Sequence, residues 1–430
     1  MAALRKLAWR PEAFLRKADV MLRFDTTSSN ALRHPLYVQW TLGFMIGAIG
    51  LWMTRLTLGY VVWELTQSPA LTGLTAFLIL AMPGVFGPFM GVLIENLNPK
   101  RVIVAVQFMI LLVYLSLAII AALGTTSVAP YIIAAAATGF VIAIWQPARL
   151  VMPTLLVTEN ALSSAVAVNS TLFNTARVVG PALAAWVIAF GNIAFAFFAG
   201  FLLYAIFFVV VVFLNVKHTA KGKPTGSFMD RLAGGMREAG KDPLMMLAMA
   251  ATVFSGFFGR SVVELMPAIN GELVTNGTAQ TLGYLTSAAG AGAIIIGMVL
   301  ATRRGSARQM LGYLFAGGLV GGLAVCGMGL STTVWLLLPL SFISGAAGSL
   351  TLIGSQASIL QAAPKDYRTR IMALWGALAF GGMGIGGVAS GLLASAIGLS
   401  LTLGIFGLVG SLGSAFLWLY ARRTVTGQNL

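Results

Sequence analysis

Three arginines stand inside long apolar runs of this sequence: Arg55 in LWMTRLTLGY, Arg177 in TLFNTARVVG and Arg260 in VFSGFFGRSV. A fixed cation in hydrocarbon costs about 2.5–3.5 kcal/mol on insertion scales and more in simulations, so it marks a functional position by default. Its guanidinium is a planar fork of donors that meets carboxylate or phosphate through paired hydrogen bonds. Two such groups aimed at one space would clamp an anion. The competing role is neutralisation within the bundle. Glu264 follows Arg260 by four residues, on the same face of a helix, so an intrahelical pair is feasible, in the less favourable Arg-first order. Glu64 follows Arg55 by nine residues. That places it about 13 Å further along and on the opposite face, so Arg55 has no partner within its helix. Arg177 shares a stripe with Ser170 and Asn174, and a polar stripe facing neighbouring helices accounts for it structurally. Glu264 and Glu64 are the carboxylates that could exchange a proton as their access to water changes. Trp145, Gln146 and Gln356, with Thr138, Ser349, Thr351 and Ser355, could add hydrogen bonds to a substrate.

The elements that hold these residues follow from composition. The chain has 430 residues, 58% hydrophobic and 9% charged, with mean hydropathy +0.90; a soluble protein carries about a quarter charged residues. Its apolar residues fall in runs of roughly 20, enough to cross about 30 Å of hydrocarbon as helix. Twelve spans are expected, at 38–64, 71–94, 101–123, 130–148, 163–190 and 193–215, then 244–268, 280–301, 309–329, 332–358, 371–395 and 398–420. The connections alternate between two kinds. One set is short and free of Lys and Arg, including TQSPA, GTTSVAP and IGL; the other set and the termini hold 24 of the 27 basic residues. The positive-inside rule then puts both termini in the cytoplasm. It also explains a net charge of +15 without a nucleic-acid partner. The N-terminus, residues 1–37, lacks a signal-peptide pattern and reads as a basic amphipathic segment on the membrane surface. Residues 38–215 and 244–420 form two six-span halves joined by a cytoplasmic linker, 216–243, with a tail at 421–430. This all-α, two-half plan fits the pseudo-repeats of secondary transporters.

Enzyme chemistry has no foothold. The single cysteine, Cys326, and two separated histidines, His34 and His218, form no metal cluster. There is no phosphate-cradling loop with a following lysine and no nucleophile–base pair, and no cofactor is expected. GGMGIGG and AGAGAIIIG lie inside spans, where glycine serves close helix packing.

The connection between spans 2 and 3, GVLIENLNPKRV, resembles the loop signature of the major facilitator superfamily. Gly91, Glu95, Lys100 and Arg101 match its glycine, acid and basic cluster, while Asn96 and Asn98 replace the usual arginine and glycine. The equivalent MVLATRRGSAR keeps Arg303, Arg304 and Gly305, with Thr302 at the acid's place. YVVWELTQSPALTGL, WQPARLVMPTLLVTENALSSAVAVNSTLFNTARVVGPALAAW and LQAAPKDYRTRIMALWG are similar to the exporter branch that holds enterobactin and macrolide exporters. Gly180-Pro181 resembles the GPxxGG signature of drug:proton antiporters, with Ala184-Ala185 in place of the final glycines. The resemblance implies the major facilitator fold of twelve helices and gating by the Glu95 loop. It also implies that spans 1 and 7 line a central cavity, so that Arg55 and Arg260 face each other. Facilitators that exchange organophosphates for phosphate resemble that placement. Gly180 and Pro181 would form a bendable contact between halves.

The expected function is alternating-access export of an anionic or zwitterionic small metabolite, siderophore-like or organophosphate-like, across the cytoplasmic membrane. A proton or an anion is the expected counter-substrate, and one copy of the chain is expected to work alone. Export of a lysophospholipid or other amphipath, or multidrug proton antiport, is the alternative. A non-transporting sensor or scaffold on the same fold is a different class; absence of counterflow alongside specific ligand binding would identify it.

Overall fold

Lipid offers backbone N–H and C=O groups nothing to bond, so apolar runs of this length must fold as helices. The computed structural model describes residues 28–94, 97–216, 234, 236–301, 306–364 and 367–425. The first six spans are Pro35–Thr66, Pro69–Ile94, Pro99–Ala122, Ala129–Leu156, Leu162–Phe190 and Ile193–Phe213. The last five are Ala279–Ala301, Ala307–Gly329, Val334–Ala362, Arg368–Ile397 and Leu399–Val425. With span 7, Pro243–Leu273, twelve segments are long and apolar enough to cross a membrane, and the described residues contain no strand. The N-terminal segment to residue 27 and most of the linker lie outside the described residues. Within the linker, residues 236–239 are helical. There Lys241 donates to Glu238 at 2.6 Å, a bond that raises the pKa of this exposed ammonium above its ordinary value.

Starts and stops have local causes. Proline opens spans 1, 2, 3 and 7, where its missing N–H is no loss. Asn98, Asn192, Asp242 and Ser306 accept hydrogen bonds from first-turn N–H groups. Gln67, at φ 48°, turns the chain out of span 1. Span 4 continues past the expected end at 148, because Pro147 and Pro153 are both accommodated within the helix.

The two halves repeat one pattern of neighbours. Span 1 packs on 5 and 6, span 2 on 4, and span 3 on 4 and 6; adding six to each number gives the pairs of the second half. The closest approaches repeat too. A Cβ on Gly139 of span 4 would overlap the Leu78 carbonyl of span 2, and one on Gly345 of span 10 would overlap the Ala289 carbonyl of span 8. The first half has an aromatic core in which Trp40, Phe44, Phe207, Tyr204 and Tyr114 form successive ring contacts.

The halves meet along spans 2 and 11 and spans 5 and 8, and only over part of their length. At the end with uncharged connections, Gly73 lies on the Gly387 carbonyl, Gly391 on that of Pro69, and Gly283 on Ala185. Ser395 accepts from the Ala70 N–H at 3.2 Å. Trp63 of span 1 is buried in the apolar cluster of the second half with Leu265 and Ile269. Spans 2 and 11 stay in contact as far as Gly84, which lies on the Ala377 carbonyl; beyond it, toward the basic end, there is open space beside Gly87 and Gly297. The molecule is therefore closed at its uncharged end and open at its basic end.

Span 7 departs from the continuous helix expected at 244–268. It is helical over Pro243–Phe258, tightens to a 3-10 turn over Arg260–Leu265, and resumes over Met266–Leu273. Gly259 and Pro267 bracket the break; proline removes a ladder donor, and membrane helices break where they line a cavity.

Candidate functional site

Between the halves lies a cavity with about 1340 Å³ of non-atom space, open solvent included. Its wall carries Arg55 from span 1, Arg177 from span 5, and Arg260 and Glu264 from span 7. The three arginines of the apolar runs thus converge on one space. Arg177, expected to serve helix packing, lies on the cavity wall; the Asn174 side chain lies outside the described residues.

Arg55 pairs with Glu264, across the junction of the two halves, with the side chains only 10% and 13% exposed. The Arg55 guanidinium also stacks 4.7 Å from the Trp52 ring centre. The intrahelical Arg260–Glu264 pair does not form. In a 3-10 turn of 3.0 residues, positions four apart are rotated by about 120°, so Glu264 is directed away from Arg260. Arg260 instead donates to the Ala379 carbonyl of span 11 at 3.0 Å, and its Nε is left without a partner. Among these described groups the formal balance is three cations to one anion. In low-dielectric surroundings such an excess attracts an anion strongly.

A fourth arginine is also inside. Charge counting puts Arg149 at the cytoplasmic end of span 4, but the helix runs to Leu156 and carries it into the first half. Its guanidinium lies 4.6 Å from the Phe173 ring, 4.9 Å from Trp145 and 5.3 Å from Phe44. Trp145 stands four residues earlier on the same helical face, a spacing that could have revealed the box. Arg149→Lys keeps the charge and loses the planar stack, and is expected to lower unfolding stability by about 1–2 kcal/mol. An unchanged denaturation midpoint would make the three rings mere neighbours.

The remaining candidates separate. Trp145 and Gln146 line a second space inside the first half, whereas Gln356 is half-buried in span 10 and lines neither space. Glu64 is exposed near the closed end and lines neither. Pro181 lines the central cavity. Gly180 packs on span 1, where a Cβ would come 2.6 Å from that of Trp52. Gly91 faces Pro147. Lys100 donates to the Val212 carbonyl at the end of span 6, at 2.8 Å, and the Arg101 N–H bonds to the Asn98 cap. Glu95, Arg303 and Arg304 lie outside the described residues.

Residues 26–427 match the family model described as transmembrane secretion effector, a major-facilitator family. No curated protein matches the chain by sequence. A bacterial homologue of the human lysosomal transporter Spinster, solved inward-facing and unoccupied, superposes with TM-score 0.70 at 13% identity, over 92% of this chain and 98% of that one. The nucleoside transporter NupG gives 0.64 at 14%, over 89% and 99%. The human organic anion transporter MFSD10 gives 0.65 at 13%, over 89% and 98%. At these identities the likeness is one of fold.

Proposed function

The chain belongs to the transmembrane secretion effector family of the major facilitator superfamily, and from that premise we propose that it exports an anionic or zwitterionic small metabolite by alternating access. It is a multi-pass membrane transporter rather than an enzyme. The observation that carries the substrate reading is the convergence of Arg55, Arg177 and Arg260 on one cavity with Glu264 as the only carboxylate on its described wall.

Both termini lie in the cytoplasm on the positive-inside rule, so the open basic end faces inward and loads substrate from within. The Arg55–Glu264 pair then does two things. It ties the halves together at the closed side, and it offers Arg55 a resident anion that a substrate carboxylate or phosphate displaces. A proton taken up by Glu264 releases Arg55 in the same way, which links substrate and proton occupancy through one group. Contacts present in one state only bias the equilibrium between states, so exchange on Arg55 loosens the closure. Multidrug cation antiport fits a cavity of this charge less well.

Thermal unfolding of the purified chain in detergent, against small carboxylates, phosphates and organic cations, tests the reading. A ligand at about 100 times its dissociation constant adds roughly 2.7 kcal/mol, and anions are expected to stabilise while cations do not. Stabilisation by cations alone would refute it.

A further inference from the structure

The two seams between the halves are of unequal length. Along spans 2 and 11, Pro69 meets Gly391, Gly73 meets Gly387, Ala81 meets Gly384 and Gly84 meets Ala377. From Pro69 to Gly84 is about 22 Å of helix. Along spans 5 and 8, Ala185 meets Gly283 and, seven residues on, Val178 meets Gly290. Seven residues return a helix nearly to the same face, so the next pair in register is Thr171 with Gly297. There the contact ends. A Cβ on Gly297 would meet nothing within 4 Å, and Thr171 is exposed. This seam therefore lasts about 11 Å, half as long as the other. Span 5 otherwise packs mainly on span 1 and span 8 on span 10, so no other described helix packs closely on both.

From Gly290 to the end of span 8 at Ala301 is about 17 Å, close to one leaflet's share of a hydrocarbon core of about 30 Å. Ile295 and Met298 are exposed at this depth, where lipid chains surround the bundle. Arg177, beside Val178, lines the central cavity together with Gly290 and Ala293. The gap thus runs from the bilayer to the arginines. A water-soluble anion needs only the open basic end; an opening to lipid serves a molecule that is apolar at one end.

We infer that the substrate is an amphipathic anion that enters sideways from the cytoplasmic leaflet, between spans 5 and 8. Its charged group reaches Arg177 and the deeper arginines while its apolar chain stays in the gap. The charge of this guest rests on the anion reading above; its route and its chain rest on the unequal seams.

Dodecyl phosphate and methyl phosphate share a headgroup and differ in the chain. In the Cys326→Ser protein, held in phosphatidylcholine nanodiscs, Gly297→Cys puts a thiol in the gap. Gly87→Cys, made separately, puts one in the open space beyond the other seam. Alkylation by N-ethylmaleimide reports whether each thiol is covered. Dodecyl phosphate at about ten times its dissociation constant, found by thermal unfolding, is expected to slow the Gly297→Cys reaction about tenfold and to leave Gly87→Cys unchanged. Methyl phosphate at equal concentration and dodecyltrimethylammonium are expected to shield neither. Stabilisation by dodecyl phosphate without shielding of Gly297→Cys, equal shielding at Gly87→Cys, or equal shielding by methyl phosphate overturns the lateral route. Absence of any stabilisation by dodecyl phosphate overturns the amphipathic substrate. Shielding that dodecyltrimethylammonium matches, or that survives Arg177→Gln and Arg55→Gln together, keeps the route and overturns the anion reading.

Discussion

Arg55→Gln is expected to abolish anion binding and to destabilise the fold, and the two effects can be separated. The guanidinium is almost buried against Glu264 and Trp52. Truncating one member of a buried charge pair costs about 2–5 kcal/mol at a binding site, or roughly 30- to several-thousand-fold in affinity. It also leaves Glu264 charged and unpaired inside the bundle, which costs about 3–5 kcal/mol of stability. The double variant Arg55→Gln/Glu264→Gln removes the orphan charge and is expected to recover most of that stability, since an ion pair replaced whole is often neutral. It does not recover anion binding. Denaturant unfolding and anion titration on the wild type and both variants decide the matter. Binding that returns with stability in the double variant would make Arg55 a packing residue.

Gly73→Ala and Gly345→Ala should fail in different ways although each adds one methyl to a close helix contact. Gly345 lies on the Ala289 carbonyl within the second half, and crowding there costs about 1–3 kcal/mol of fold stability. Gly73 lies on the Gly387 carbonyl where the halves close, a contact that only the closed state needs. The same cost then falls on one conformer and shifts the population about 5- to 150-fold toward the other. Spin labels at Ser127→Cys and Thr332→Cys, on exposed connections of the uncharged end, in the Cys326→Ser background, would report the separation. Gly73→Ala is expected to add a longer distance and Gly345→Ala to lower the melting point without one. A single unchanged distance in Gly73→Ala would show that this face does not open.

The spans are readable because a bilayer leaves so few choices: each apolar run becomes a helix, and the alternating basic connections match its two ends. What stays hidden depends on register between distant segments. Nothing in spans 1 and 7 taken separately says that Glu264 is turned toward Arg55 rather than Arg260. That choice follows from the 3-10 turn over Arg260–Leu265. Its signals, Gly259 and Pro267, are present in the sequence, eight residues apart. Arg149 is misread for a related reason. Pro147 reads as an ending, yet the helix absorbs it, and the arginine meets rings from spans 1 and 5 that only tertiary structure supplies. Arg177 is legible as part of a polar stripe, but a stripe does not say whether its face meets another helix or a void.

The neutral hydroxyls of the central wall have their own logic. Five of the seven, Thr72, Thr75, Ser255, Thr286 and Thr351, each give their hydrogen to a backbone carbonyl one turn back. Their oxygens keep lone pairs, so toward the cavity they only accept, while the arginines only donate. At these five hydroxyls and at the arginines, hydrogen bonds to a guest therefore run one way on each surface. A zwitterion, with ammonium hydrogens for the hydroxyl wall and an acid group for the guanidiniums, is matched on both. A simple ester or ketone has nothing to give that wall, and selection among cargoes then turns on the polarity of their ends more than on their outline.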